Sequence, residues 1–204
     1  MLKETFLNLI AEYSDNETYN IKCWSEIEKK YSSKSRYYHN LGHIKNMIDE
    51  LNEIESMVND LDTLLFTVYY HDIIYKATKS DNEYKSALFF EKRISQTDFM
   101  GIKKVMKQIE LTKEHKKSDD NDTNILLDLD FAVLGLPLEE YRIYYENIRR
   151  EYKVFPDFMY KKGRIKALMS FLDSDYIFKT DYFINKYEKQ ARANINYELK
   201  YLSE

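Results

Sequence analysis

The sequence predicts an all-α fold, and three observations predict it. Only 4 Gly and 2 Pro occur in 204 residues, too few turn-formers for the many short connections of a sandwich or barrel. Apolar residues recur at three- and four-residue spacing along most of the chain. Aromatics make up 15%, with 19 Tyr and 11 Phe, enough to fill a sizeable core and far too many for a disordered chain. A chain of this length should bury roughly 70% of its unfolded surface. One domain over residues 1–204 is therefore expected, with no disulfide or structural metal needed for folding.

Taken in order, Phe6, Leu7, Ile10 and Tyr13 share one helical face, as do Cys23, Trp24, Ile27 and Tyr31. Ser32 to Ser35 is a polar break, after which Ile44, Met47, Ile48, Leu51 and Ile54 form a third face. Leu61 to Tyr75 is nearly continuous apolar sequence, and its length favours a buried helix over a strand. A loop at Ala77 to Asp81 precedes helices over Glu83 to Ile94 and Phe99 to Leu111. Lys113 to Asn124 has no apolar residue and reads as a solvated loop. Asp128 to Leu134 resumes as helix, closed by Gly135 and Pro137. Leu138 to Val154, Phe158 to Leu172 and Phe183 to Leu202 supply the remaining helices, with Pro156 as an interruption.

Composition narrows the function classes. Lys+Arg is 31 against Asp+Glu 35, a net charge of -4, and the signs alternate along the chain. A dedicated nucleic-acid surface would need clustered cations. Cys23, the single cysteine, reads as a small buried hydrophobe in a reducing compartment. No apolar run reaches the length of a membrane span, and Lys3, Glu4 and Asn8 break the stretch a signal peptide would need. A cytoplasmic protein without a membrane partner is expected; its oligomeric state is not legible.

The four histidines, His39, His43, His71 and His115, all fall in the first 115 residues. His39 and His43 stand four apart, the spacing of paired metal ligands on a helix face. Gly42 between them would cost a helix about 1 kcal/mol, so His43 can open a helix while His39 lies in the preceding turn. His71-Asp72 ends the apolar run; a buried imidazole and carboxylate are costly unless both are satisfied, and a divalent cation does so. Packing histidines satisfied by hydrogen bonds are the alternative for both motifs. Asp128 and Asp130 sit among Leu126, Leu127, Phe131 and Val133, an unusual setting for solvated acids. Asp128 also suits a helix N-cap.

The order His43, His71-Asp72, Asp130 resembles the HD-domain superfamily of metal-dependent phosphohydrolases. Further words strengthen the likeness to predicted HD hydrolases of about this length: Trp24, Arg36 to His39, Asn82-Glu83 with Ser86-Ala87, Asp128 to Gly135, Arg149 to Tyr152, Gly163-Arg164, and Ala191 to Asn194. The resemblance implies a single HD-domain-like helical domain holding a divalent metal ion (Mn, Fe, Co or Mg) between His43, His71, Asp72 and Asp130. Asp128 would stand beside the ligands or cap a helix. His39 and His115 would lie near the mouth, to bind phosphate, donate a proton or join a second metal, and Glu83 would order a ligand or water. Asp72, His115 and Glu83 are thus the candidate catalytic groups, and Arg36, His39 and Lys79 the candidate substrate-binding ones. Arg149 and Arg150 are further cations, each expected to serve surface or salt-bridge roles first. The nucleotidase branch carries a Glu three residues after HD, where this chain has Tyr75. The implied activity is metal-assisted hydrolysis of a nucleotide or another small phosphoester. A catalytically silent HD-type ligand-binding or interaction module is the alternative, since a fold and a shell do not establish turnover.

Overall fold

The computed structural model describes residues 1–204, which form helices and no strands. The chain divides into two compact units, Met1–Leu126 and Leu127–Glu204.

The first unit contains α1 (Leu2–Ala11), α2 (Glu17–Tyr31), α3 (Leu41–Glu53), α4 (Leu61–Tyr70), α5 (Asn82–Ile94) and α6 (Ile102–Leu111). It also holds the start of α7 (Asn121–Phe131). The apolar run organises it. Thr63, Leu64 and the whole of Phe66 to Tyr70 are buried, because a helix apolar on every side can only be stable when enclosed. α4 accordingly packs against α1, α3, α5 and α6. Around it the rings of Phe6, Trp24 and Tyr69 contact one another, as do those of Phe66, Phe90 and Phe99, and Tyr70 joins the two groups through Phe6 and Phe90. Cys23 is buried, as expected for a small hydrophobe.

Two boundaries differ from the sequence expectation. α4 ends at Tyr70 rather than Tyr75, because polar side chains of α5 capture the following backbone. Ser86 Oγ accepts from the Ile74 N–H at 3.0 Å, and Asn82 Oδ1 accepts from the Lys76 N–H at 3.1 Å. The stretch read as a solvated loop also contains the start of α7. Asp120 caps that helix, accepting from the Thr123 N–H at 3.0 Å and its hydroxyl at 2.6 Å. Asp122 is fully buried, not solvated: its carboxylate accepts from the Asn59 N–H, the Asn59 amide and the Asp60 N–H at 2.9, 3.1 and 3.0 Å. Three donors and Lys104 at 3.5 Å offset its desolvation.

The second unit continues α7 and adds α8 (Leu138–Glu151), α9 (Asp157–Leu172), α10 (Asp181–Phe183) and α11 (Lys189–Ser203), the last two joined through a π-helical stretch Ile184–Glu188. Pro137 and Pro156 directly precede α8 and α9, where a missing N–H costs nothing. Gly135 is required by close approach: an added Cβ would lie 2.4 Å from Tyr187 Cβ. Side chains from separated parts of the sequence hold this unit together. Arg164 makes a two-pronged pair with Glu198 at 2.7 and 2.9 Å, and Tyr141 donates to the same carboxylate at 2.5 Å. The Asn194 amide donates to the carbonyls of Leu134 and Leu136, each at 2.8 Å. Arg149 spans the turn between α8 and α9, donating to Asp157, Tyr152 O and Phe155 O, in line with a structural role for that cation.

Asp128 is not an N-cap. It lies inside α7 and is buried, and it clasps the segment before α10: its carboxylate accepts from the Lys179 N–H (2.7 Å), the Thr180 N–H (2.8 Å) and the Thr180 hydroxyl (2.7 Å). Burial pushes its carboxyl up to about 6, against the pull of these three donors. A raised acid pKa means that the folded state keeps a proton the unfolded chain has released, so this group makes stability fall as pH rises from ~4 to ~6. Wild type should lose on the order of 2 kcal/mol relative to Asp128→Asn across that window, measured by urea unfolding at several pH values. Parallel pH profiles for the two proteins would contradict this.

Candidate metal centre

The site forms where the start of α3 meets the end of α4. Asn40 caps α3, accepting from the Gly42 N–H at 2.7 Å while its amide donates to Tyr37 O at 2.9 Å. His43 therefore sits in the first turn of α3, and His39 in the turn before it, not one helical turn away on a shared face. His71 is the residue that ends α4, its N–H donating to Thr67 O at 2.8 Å. Both His43 and His71 are buried.

The two imidazoles meet, with His43 Nε2 3.3 Å from His71 Nε2. His71 Nε2 is 3.5 Å from Asp72 Oδ2. Ligand atoms of His43, His71 and Asp72 all lie within 4.8 Å of one another. Neighbours in sequence, His71 and Asp72 can share one small volume because the helix has already ended there. His71 Nδ1 lies 2.9 Å from Val68 O. A carbonyl only accepts, so Nδ1 carries a proton, which leaves Nε2, facing His43 and Asp72, as the ring nitrogen that can serve as a ligand. Metal-ligating histidines are oriented by this kind of contact. Two buried imidazoles and a carboxylate on one small volume are a donor set that suits a first-row divalent cation.

His39 flanks the cluster. Its Nε2 is 3.8 Å from Asp72 Oδ2, so Asp72 is bracketed by His71 and His39. The His39 ring stacks on Tyr75 with centroids 4.1 Å apart and meets Tyr38 edge-on at 4.9 Å. Tyr75, the departure from the nucleotidase pattern, thus holds His39 in place.

Arg36 is buried, and its guanidinium donates to three backbone carbonyls: His39 O at 2.9 Å, Asp72 O at 2.7 Å and Ile73 O at 2.9 Å. It also lies over the Tyr31 ring at 4.7 Å. This candidate substrate cation ties the His39 turn to the His71-Asp72 turn. From the other side, Asn82 and Ser86, four apart on α5, hold the loop from Ile74 to Lys79; the Asn82 amide donates to Lys76 O and Lys79 O. In the sequence Asn82 and Ser86 stand out only as members of the words Asn82-Glu83 and Ser86-Ala87, with no role attached to either.

The remaining candidates are placed as follows. Lys79 is exposed in that loop, and Glu83 is half-buried in the first turn of α5. His115 is half-buried after α6 in a left-handed conformation, φ 49°, which His tolerates better than most residues. Asp130 belongs to the second unit, half-buried near the end of α7, where its charge reaches the Tyr144 phenol and helps hold that group above its usual pKa, behind the larger effect of burial. No helix is long and apolar enough to cross a membrane. Compared with family models, curated proteins and solved structures, the chain matches none.

Arg36→Lys tests the brace. An ammonium is a point charge that cannot reproduce a fork aimed at three carbonyls, so the variant should lose about 1 to 3 kcal/mol by urea unfolding. Wild-type stability would contradict the role.

Proposed function

We propose that the chain is a metal-dependent phosphohydrolase acting on a nucleotide or another small phosphoester. The observation that carries this reading is the convergence of His43, His71 and Asp72, with the His71 tautomer set by Val68 O. His43 and His71 would hold the cation through Nε2 and Asp72 through a carboxylate oxygen. A bound divalent ion supplies Lewis acidity toward a phosphoryl oxygen and toward a water at positions the protein leaves open. The HD-domain resemblance supports the same class of reaction, and the two imidazoles favour Mn, Fe or Co over Mg.

The chain's own groups divide the remaining work. Arg36 and the Asn82-Ser86 pair fix the backbone that carries Asp72, so the carboxylate is held before substrate arrives. Among the proton-transfer candidates His39 is favoured over His115 and Glu83, because its Nε2 is already 3.8 Å from Asp72. It would donate to the leaving oxygen, and Tyr75 stacking would keep its ring oriented. A cytoplasmic setting suits the single reduced cysteine.

The test is hydrolysis by metal-loaded full chain of nucleoside mono-, di- and triphosphates and a generic aryl phosphate. Turnover of at least one, reduced about a hundredfold or more by His71→Ala and Asp72→Asn, is expected, and His39→Gln should lower turnover about a hundredfold with bound metal retained. Bound metal without turnover of any substrate would favour the silent ligand-binding module instead. Absence of both metal and turnover would sink the proposal.

A further inference from the structure

The first unit contains a cavity of about 500 Å³ at the C-terminal end of α2, reaching the Ile73–Lys76 segment and Phe89 of α5. None of His39, His43, His71 and Asp72 lines it. Four cations do: Lys29, Lys30, Arg36 and Lys76. The one acid on its wall, Glu26, is already engaged by Arg93 at 2.5 and 2.8 Å. Arg36 is buried and makes no carboxylate contact; its three bonds are to carbonyls, so no anion pairs with its charge. Those bonds use three of the five N–H groups a guanidinium owns, leaving two. Lys30 rests on the Phe89 ring at 4.8 Å, and burial followed by the like charge of Arg36 lowers its pKa. Ser33 and Ser35 add hydroxyls 3.1 Å apart.

A simpler account exists for two of these residues. Lys29 and Lys30 fall in the last turn of α2, where cations complement the helix dipole. It does not explain why Arg36 and Lys76, from two other segments, face the same space. The gathering of four cations from three segments around one roomy cavity, with its only acid engaged elsewhere, is the signature of a polyanion site.

We propose that this cavity is a second site, separate from the metal cluster, that binds a small polyanion of the di- or polyphosphate class. A single phosphate would fill only part of 500 Å³, whereas a di- or polyphosphate offers several charged groups to the cations contributed by α2, the Ser33–Arg36 turn and Lys76. Phosphoryl oxygens also match the mixed guanidinium, ammonium and hydroxyl donors better than an extended carboxylate does. The site is independent of metal, since no cluster residue lines it.

Calorimetric titration of chelator-treated full chain with pyrophosphate, inorganic phosphate and citrate, at one ionic strength, tests this. Saturable binding is expected, tightest for pyrophosphate. Lys76→Met should weaken it about tenfold, and Lys30→Met with Lys76→Met about a hundredfold, at one charge-assisted contact per factor of ten. Lys34→Met, an exposed cation outside the cavity, should change it less than about twofold. Lys76 is exposed, so its substitution leaves the fold intact, and a melting curve verifies this for each variant. No saturable pyrophosphate binding without metal, citrate binding as tight as pyrophosphate, or equal losses from Lys34→Met and Lys76→Met would each overturn the proposal.

Discussion

The candidate site depends on one buried guanidinium. Arg36 takes the carbonyls of His39, Asp72 and Ile73, and so joins two turns that lie far apart in sequence. Burying a cation is costly, and three charge-assisted bonds plus the Tyr31 ring offset that cost. Without this tie the His39 turn and the His71-Asp72 turn would be joined by side-chain contacts alone, the His39 ring on Tyr75 and His43 against His71. With it, the side chains of His39, His43, His71 and Asp72 share one small region.

A related device recurs at several places where the backbone enters or leaves a helix. A chain with 4 Gly and 2 Pro has few residues that shape turns by conformation alone. Its turns are shaped by side chains that capture backbone polar groups instead: Asn40 before α3, Asn82 and Ser86 after α4, Asp122 against Asn59 and Asp60, Asp128 against Lys179 and Thr180. In the second unit Glu188 adds another, accepting from the N–H groups of Ile177 and Phe178 while Arg192 pairs with it at 2.7 Å. Carboxylates and amides thus replace glycine as the agents of chain reversal, at the expense of burying polar atoms whose partners must all be present.

Much of this fold was legible in the sequence, because amphipathic spacing reports which face of a helix is buried. Leu61 to Tyr70 shows both the strength and the limit of that signal. Its apolar content marks a buried helix, yet the same content continues to Tyr75 and conceals the break that α5 imposes through Ser86 and Asn82. The start of α7 was hidden for the opposite reason: Asp120 and Asp122 read as solvated acids, and only tertiary partners reveal one as a cap and the other as a buried acceptor. The meeting of His43, His71 and Asp72 was legible only through the HD-domain resemblance that their order carries, since no local spacing joins His43 to residues 28 positions on. The task of Arg36 was not, since a cation near histidines suggests a phosphate, and nothing in the sequence says that its partners are carbonyls. Asp128 was hidden likewise, because Thr180 lies too far along the chain for any local pattern to join them.

The central claim is that His43 and His71 present two imidazole nitrogens to one divalent ion. Titrating chelator-stripped protein with Co²⁺ and following its visible d–d absorption reads this directly. The account predicts a saturable spectrum at one ion per chain that is abolished by His43→Ala and by His71→Ala alike, with both variants still folded by circular dichroism. A saturable spectrum that both variants retain unchanged, or no saturable binding by the wild-type chain, would contradict it.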